Sequence, residues 1–195
     1  MKKNIEEIIN SSIEVKKRLL EKELSNLEKT VSVIVDCISR GGKILLFGNG
    51  GSAADSQHIA AEFVGRFRAE RRALPAVALT TNTSILTALS NDYGYDISFK
   101  RQIEALGNKN DVAIAISTSG NAKNVIEAVK EAKQKGVKTI ALTGKGGGAL
   151  AKLCDVVIIV ASNDTARIQE THILIGHIIA QLVEEAFTDK DDAKK

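Results

Sequence analysis

From Lys43 onward, short continuous apolar runs alternate with segments of helical periodicity. The runs cover residues 43–47, 76–80, 112–117, 139–143 and 156–160, and they lack the apolar/polar alternation of a half-exposed strand. Unbroken apolar strands are what a parallel sheet covered on both faces requires. Helices are expected between them at 52–67, 84–89, 122–135 and 149–153, with a long final helix at 165–187. The first 40 residues read as helix. Ile5, Ile9 and Ile13 recur four apart, and Leu20, Leu24, Leu27, Val31, Ile34 and Val35 continue the stripe. Gly41-Gly42 then stops the helix in the manner of a C-cap. The pattern predicts an α/β fold: a doubly wound, five-stranded parallel sheet of flavodoxin-like type, with N-terminal helices. A single domain is expected over 1–195, made of a helical segment (1–40), an α/β core (41–187) and a frayed charged tail (188–195).

Composition narrows the function classes. The 195 residues carry a net charge of +3, with Lys and Arg dispersed among Asp and Glu, which argues against nucleic acid as a partner. Lys16-Lys17-Arg18 and Arg71-Arg72 read as solvated faces. Cys37 and Cys154 fit no metal-binding spacing and read as buried thiols of a reducing compartment. The N-terminal residues have no apolar core of a signal peptide, and no run approaches membrane-span length, so a cytoplasmic protein with no membrane partner is expected.

Two strand-to-helix loops carry the candidate chemistry. One is Gly48-Asn49-Gly50-Gly51-Ser52 and the other is Ser117-Thr118-Ser119-Gly120-Asn121. Such turns offer backbone N–H groups, hydroxyls and the positive end of a helix dipole, which suit a phosphate. The first loop, with Ala53, matches GxGxxA, a formal dinucleotide fingerprint. However, the second strand ends in Leu79-Thr80-Thr81-Asn82-Thr83, without the acidic residue that would hold a ribose. The glycines are equally explained by a tight turn. In the second loop three consecutive hydroxyls exceed the single one that an N-cap needs. Gly144-Lys145-Gly146-Gly147-Gly148 lacks the Gly-Lys-Ser/Thr order of a nucleotide loop and reads as a flexible turn.

His58 and Glu62 stand four apart, on one face of the helix after the first loop. Taken alone, such a pair is an ordinary surface contact; beside a ligand loop it becomes a candidate metal or acid/base pair. The last helix carries Arg167, Gln169, Glu170, His172 and His177, so all three histidines fall on two helices. Gln169 and His177 are about 12 Å apart along a straight helix, which leaves open a shared ion held by reach, by an irregular helix or by two subunits. Asn91-Asp92-Tyr93-Gly94 reads as a polar turn, able to face sugar hydroxyls.

In combination these segments are specific. GNGGSAADSQHIAAE, the Asn91-Asp92 turn, ISTSGN, LTGKGGG and ARIQETHILIGH resemble the phosphoheptose isomerase family of sugar isomerase (SIS) domains, from about residue 41 to 187. The resemblance implies an aldose–ketose isomerase acting on sedoheptulose 7-phosphate, a homotetramer with shared active sites, and a Zn2+ ion. It implies catalytic roles for Glu62 and His177, and zinc ligation by His58, Glu62, Gln169 and His177. It implies substrate contacts at Asn49, Gly50, Gly51, Ser52, Glu62, Asn91, Asp92, Ser117, Thr118, Ser119 and Gln169. Arg66 falls on a position of interest, and Ala122 stands where members often have Ser. Two other readings exist. A relative of the family that binds the replication initiator DnaA lacks the catalytic carboxylate and the C-terminal histidine, both present here as Glu62 and His177. A sugar-phosphate sensor module would accompany an output domain.

Overall fold

The structure, a computed structural model, describes residues 1–192, with side chains through Thr188. Two amphipathic helices open the chain, α1 (Lys2–Lys22) and α2 (Leu24–Ser39). The apolar stripe that reads as continuous helix is broken at Glu23, whose φ of −120° and ψ of 5° leave the helical region. Alternation then follows: β1 (Ile44–Gly48), α3 (Gly51–Val64), β2 (Ala76–Ala78), α4 (Thr83–Tyr93), a 3-10 turn (Tyr95–Ile97), α5 (Lys100–Leu106) and β3 (Val112–Ser117). The chain continues with α6 (Lys123–Gln134), β4 (Lys138–Thr143), α7 (Leu150–Leu153), β5 (Val156–Ile159) and α8 (Thr165–Asp192).

All four strand pairings are parallel and the order is β2-β1-β3-β4-β5, the flavodoxin-like order. The continuous apolar runs now have a cause. Successive side chains of a strand point to opposite faces, and here both faces are covered. Ile44, Leu46, Val112, Ile114, Ile116, Ile140 and Leu142 pack with residues of α2, α3 and α8. Leu45, Phe47, Ala113, Ala115 and Ala141 pack with residues of α5 and α6 on the other face. Each fully buried Leu or Ile stabilises the fold by about 1.5–3 kcal/mol of transfer free energy. The small alanines of β3 and β4 let α6 approach closely through Val125, Ala128, Val129 and Ala132.

Several expectations are corrected. β2 ends at Ala78, and the chain turns so that the Asn82 side chain caps α4, accepting from the Ile85 N–H at 3.0 Å. Helix α4 therefore runs to Tyr93, and Asn91 and Asp92 lie on its last turn; the turn itself begins at Gly94. The 3-10 turn and α5 have no counterpart in the sequence pattern. They are short, and Phe99 and Ile103 are their main core anchors. At the C-terminus α8 continues to Asp192, past the start of the expected frayed tail; the last three residues lie outside the described residues.

Candidate active site

In a doubly wound sheet the strand order reverses at one point, and loops leaving the two strands there diverge to form a crevice at their carboxyl ends. Here that point lies between β1 and β3. The loops leaving these two strands are the two Gly/Ser/Thr segments. Ser52 and Ser117 are buried at the crevice, with Thr118 and Ser119 partly exposed. Among the described residues no acceptor takes a hydrogen bond from the hydroxyl of Ser52, Ser117 or Thr118. Gly50 and Gly51 lie at the start of α3, where backbone N–H groups lack helical acceptors.

The second loop is held from behind. The Asn121 side chain donates to the Ser119 carbonyl at 3.1 Å and accepts from the Ala149 N–H at 2.9 Å. The Leu150 N–H bonds the Gly120 carbonyl at 3.1 Å. Gly120 has φ +66°, and a Cβ there would strike the Gly147 carbonyl. The segment 144–148, expected as a flexible turn, is thus the buttress of the hydroxyl loop. Its glycines allow the close approach.

Helices α3 and α8 lie side by side and parallel. A Cβ at Gly51 would strike the Gln169 carboxamide, a Cβ at Gly176 would strike Ile59, and His177 meets His58. This pairing brings His58, Glu62 and His177 together. The His58 and His177 Nε2 atoms are 2.9 Å apart, and Glu62 Oε1 lies 3.2 Å from His58 Nε2. One ligand atom from each residue falls within 4.8 Å of the others. Two imidazole nitrogens and a carboxylate oxygen are a zinc donor set, and donors on one tetrahedral zinc stand about 3.3 Å apart. The residues fit such an ion. Gln169 is not part of this cluster in the same chain. Its carboxamide lies against Gly51, two turns toward the start of α8. Nor does His172 join it, despite lying on the same helix. It is fully buried, hydrogen-bonded through Nε2 to the Thr143 carbonyl at 3.1 Å. Arg66 lies just past α3 and pairs with Glu70 at 3.6 Å on the surface. Asn91 and Asp92 are exposed and bonded to each other at 2.8 Å.

The SIS domain family profile matches residues 8–144. A phosphoheptose isomerase of Clostridium acetobutylicum is 52% identical over 195 residues, covering 98% of this chain and 100% of its own. One from Aquifex aeolicus is 51% identical over 190 residues, covering 97% and 100%. The chain belongs to the phosphoheptose isomerase family. Solved phosphoheptose isomerases share the fold. That of Neisseria gonorrhoeae superposes with a TM-score of 0.90 at 43% identity, covering 94% of this chain and 98% of its own. That of Francisella tularensis gives 0.91 at 36% identity, covering 94% and 97%. The chain is accordingly an enzyme, a sugar-phosphate isomerase.

Several residues of this isomerase escape a reading by sequence. Asp55 lies one turn before His58 on α3. Burial pushes its carboxyl up to about 6, against the opposing effect of His58, and its Oδ2 has no hydrogen-bond partner among the described residues. Beyond α3, the Glu184 carboxylate accepts from the N–H groups of Phe67, Arg68 and Ala69 at 2.7–2.8 Å. Arg71 pairs with it at 3.4 Å and also donates to the carbonyls of Glu62, Phe63 and Gly65. Burial alone would raise the Glu184 carboxyl. The three N–H bonds and Arg71 outweigh it and hold the group below its ordinary value. This clasp closes the last turn of α3 and sets the Phe67 ring 5.5 Å from the His177 ring. Only an acidic residue in an apolar helix hinted at it.

Proposed function

We propose that this enzyme interconverts sedoheptulose 7-phosphate and D-glycero-D-manno-heptose 7-phosphate, the first step toward activated heptose for bacterial surface polysaccharide. The observation that carries the reading is the convergence of His177 of α8 with His58 and Glu62, which lie on the helix that begins in a crevice loop. The relatives are named phosphoheptose isomerases, which supports a heptose phosphate as substrate.

The phosphate is held by Ser52, Ser117, Thr118 and Ser119 with the N–H groups of Gly50 and Gly51. Asn49, Asn91, Asp92 and Gln169 meet the sugar. Glu62 Oε1 faces His58, while its second oxygen has no protein partner among the described residues. That oxygen takes the proton from carbon 1 of the ketose, giving an enediolate, and after exchange of the carboxyl proton with solvent it delivers a proton to carbon 2. His177 moves the accompanying proton between the two oxygens. A zinc ion bound by His58, Glu62 and His177, one per active site, would polarise the carbonyl and favour the enediolate. Gln169 lies about 12 Å along α8 from His177, so its place in the ligand set is filled from a second subunit of a homotetramer. Ala122 leaves a backbone N–H where a hydroxyl would otherwise meet the phosphate. The enzyme works in the cytoplasm.

Incubation with sedoheptulose 7-phosphate, with and without added zinc, followed by chromatographic separation of the heptose phosphates, tests this reading. Conversion is expected; its absence in both conditions rules the reading out.

A further inference from the structure

Asn49 sits at the turn of the first loop, and its amide is locked by three groups from elsewhere in the chain. The key is direction. The Val125 N–H can only donate, and it bonds the Asn124 Oδ1 at 3.0 Å. That fixes which end of the Asn124 amide is oxygen. The Asn49 Nδ2 then donates to the same Oδ1 at 2.9 Å, and the Asn124 Nδ2 donates back to the Asn49 Oδ1 at 2.9 Å. The two amides form a closed pair. With the Asn49 oxygen so placed, the Tyr95 hydroxyl bonds it at 2.8 Å as a donor. An amide oxygen has two lone pairs, and both are now taken. What Asn49 has left is one N–H.

We propose that Asn124 and Tyr95 are positioning residues, which fix the polarity of the Asn49 amide so that it offers a donor, never an acceptor, to an oxygen of the bound sugar phosphate. Asn124 is buried, 3% exposed, and acts only through Asn49. An amide left free could turn its oxygen toward the ligand and repel it. The paired amide cannot turn without leaving the buried Asn124 unsatisfied, a loss that a low-dielectric surrounding makes costly. The bonds tie the loop after β1 to the start of α6 and to the 3-10 turn before α5, three elements that converge on the crevice. This inference rests on the reading that the crevice holds a sugar phosphate.

The test is a double-mutant cycle read on KM and kcat separately. Tyr95→Phe removes one donor from an exposed side chain. Asn124→Asp keeps the volume and the Val125 bond but cannot donate to Asn49. A contact made equally in ground and transition states changes KM and leaves kcat. Tyr95→Phe should raise KM for sedoheptulose 7-phosphate about 2–10-fold, the weight of one hydrogen bond, and Asn124→Asp at least as much, with kcat within about twofold of wild type. In an Asn49→Ala background both should add nothing further. Equal effects with and without Asn49 would overturn the proposal, as would an unchanged KM in Tyr95→Phe. Calorimetric titration with sedoheptulose 7-phosphate separates the two readings. If the wild type binds without turning over, the assigned reaction fails and the same cycle is read on Kd. If it neither binds nor converts, the functional reading and this inference fall together.

Discussion

Glu62 has two oxygens in different situations, one turned to His58 and one without a protein partner among the described residues; in the proposed reaction that asymmetry would let one carboxylate both hold an ion and take a proton. His172 shows the opposite use of an imidazole. Burial drives its pKa down to about 4, against the raising effect of the Thr143 bond. The unfolded chain takes up that proton near pH 6.5 and the folded one does not, so stability from this group falls as pH drops from about 6.5 toward 4. The full effect is about 3 kcal/mol. Asp55 opposes it in part, because its raised carboxyl takes a proton in the folded state first. The comparison must therefore be with a variant that keeps Asp55. In thermal melts the Tm advantage of wild type over His172→Asn should shrink between pH 6.5 and 4. A constant difference would mean that His172 titrates normally in the folded chain. At this scale the loops and the His58–Glu62 pair were legible in the sequence, since spacing along one helix fixes them. Asn124, Tyr95 and Glu184 were not, because their partners lie 46 to 117 residues away.

Helices α3 and α8 form the working unit. Their parallel contact sets His177 over His58 at one end and Gln169 against Gly51 at the other. The Glu184–Arg71 clasp closes this pair at the carboxyl end of α3. Its groups are nearly sealed from water, with side-chain exposures of 1% and 3%. Removing one partner of a buried ion pair costs about 3–5 kcal/mol. In a chain of this size each kcal/mol lowers Tm by about 2–4 °C. Glu184→Gln should therefore lower Tm by roughly 6–20 °C at neutral pH, and a calorimetric scan within 2 °C of wild type would remove the clasp from the account. The central strands were readable, since burial on both faces demands unbroken apolar runs. The edge strand β2 was read two residues too long, and helix α5 was not read at all. Each is too short for periodicity to fix its limits, which are set by what it packs against.

For the whole molecule, much apolar surface is left uncovered in one chain. Ile5, Ile8, Ile9 and Ile13 on α1 are 43–55% exposed, and α4 has no buried residue. An exposed apolar stripe along a helix marks an association surface. Native mass spectrometry should give a tetramer for the wild type and smaller species for Ile9→Glu. A monomeric wild type would leave Gln169 out of any shared ligand set. The helical stripe itself was evident from sequence, but whether it faced the core or another copy depended on packing that only the fold supplies.

Proton transfer by Glu62 in this crevice is the centre of the account. Sedoheptulose 7-phosphate incubated with the zinc-loaded enzyme in D2O and followed by proton NMR tests it directly. The account predicts aldose heptose phosphate carrying deuterium at carbon 2 with the wild type. With Glu62→Gln, folded at an unchanged Tm, the rate should fall by about 10²–10⁴. Undiminished conversion by Glu62→Gln would contradict it.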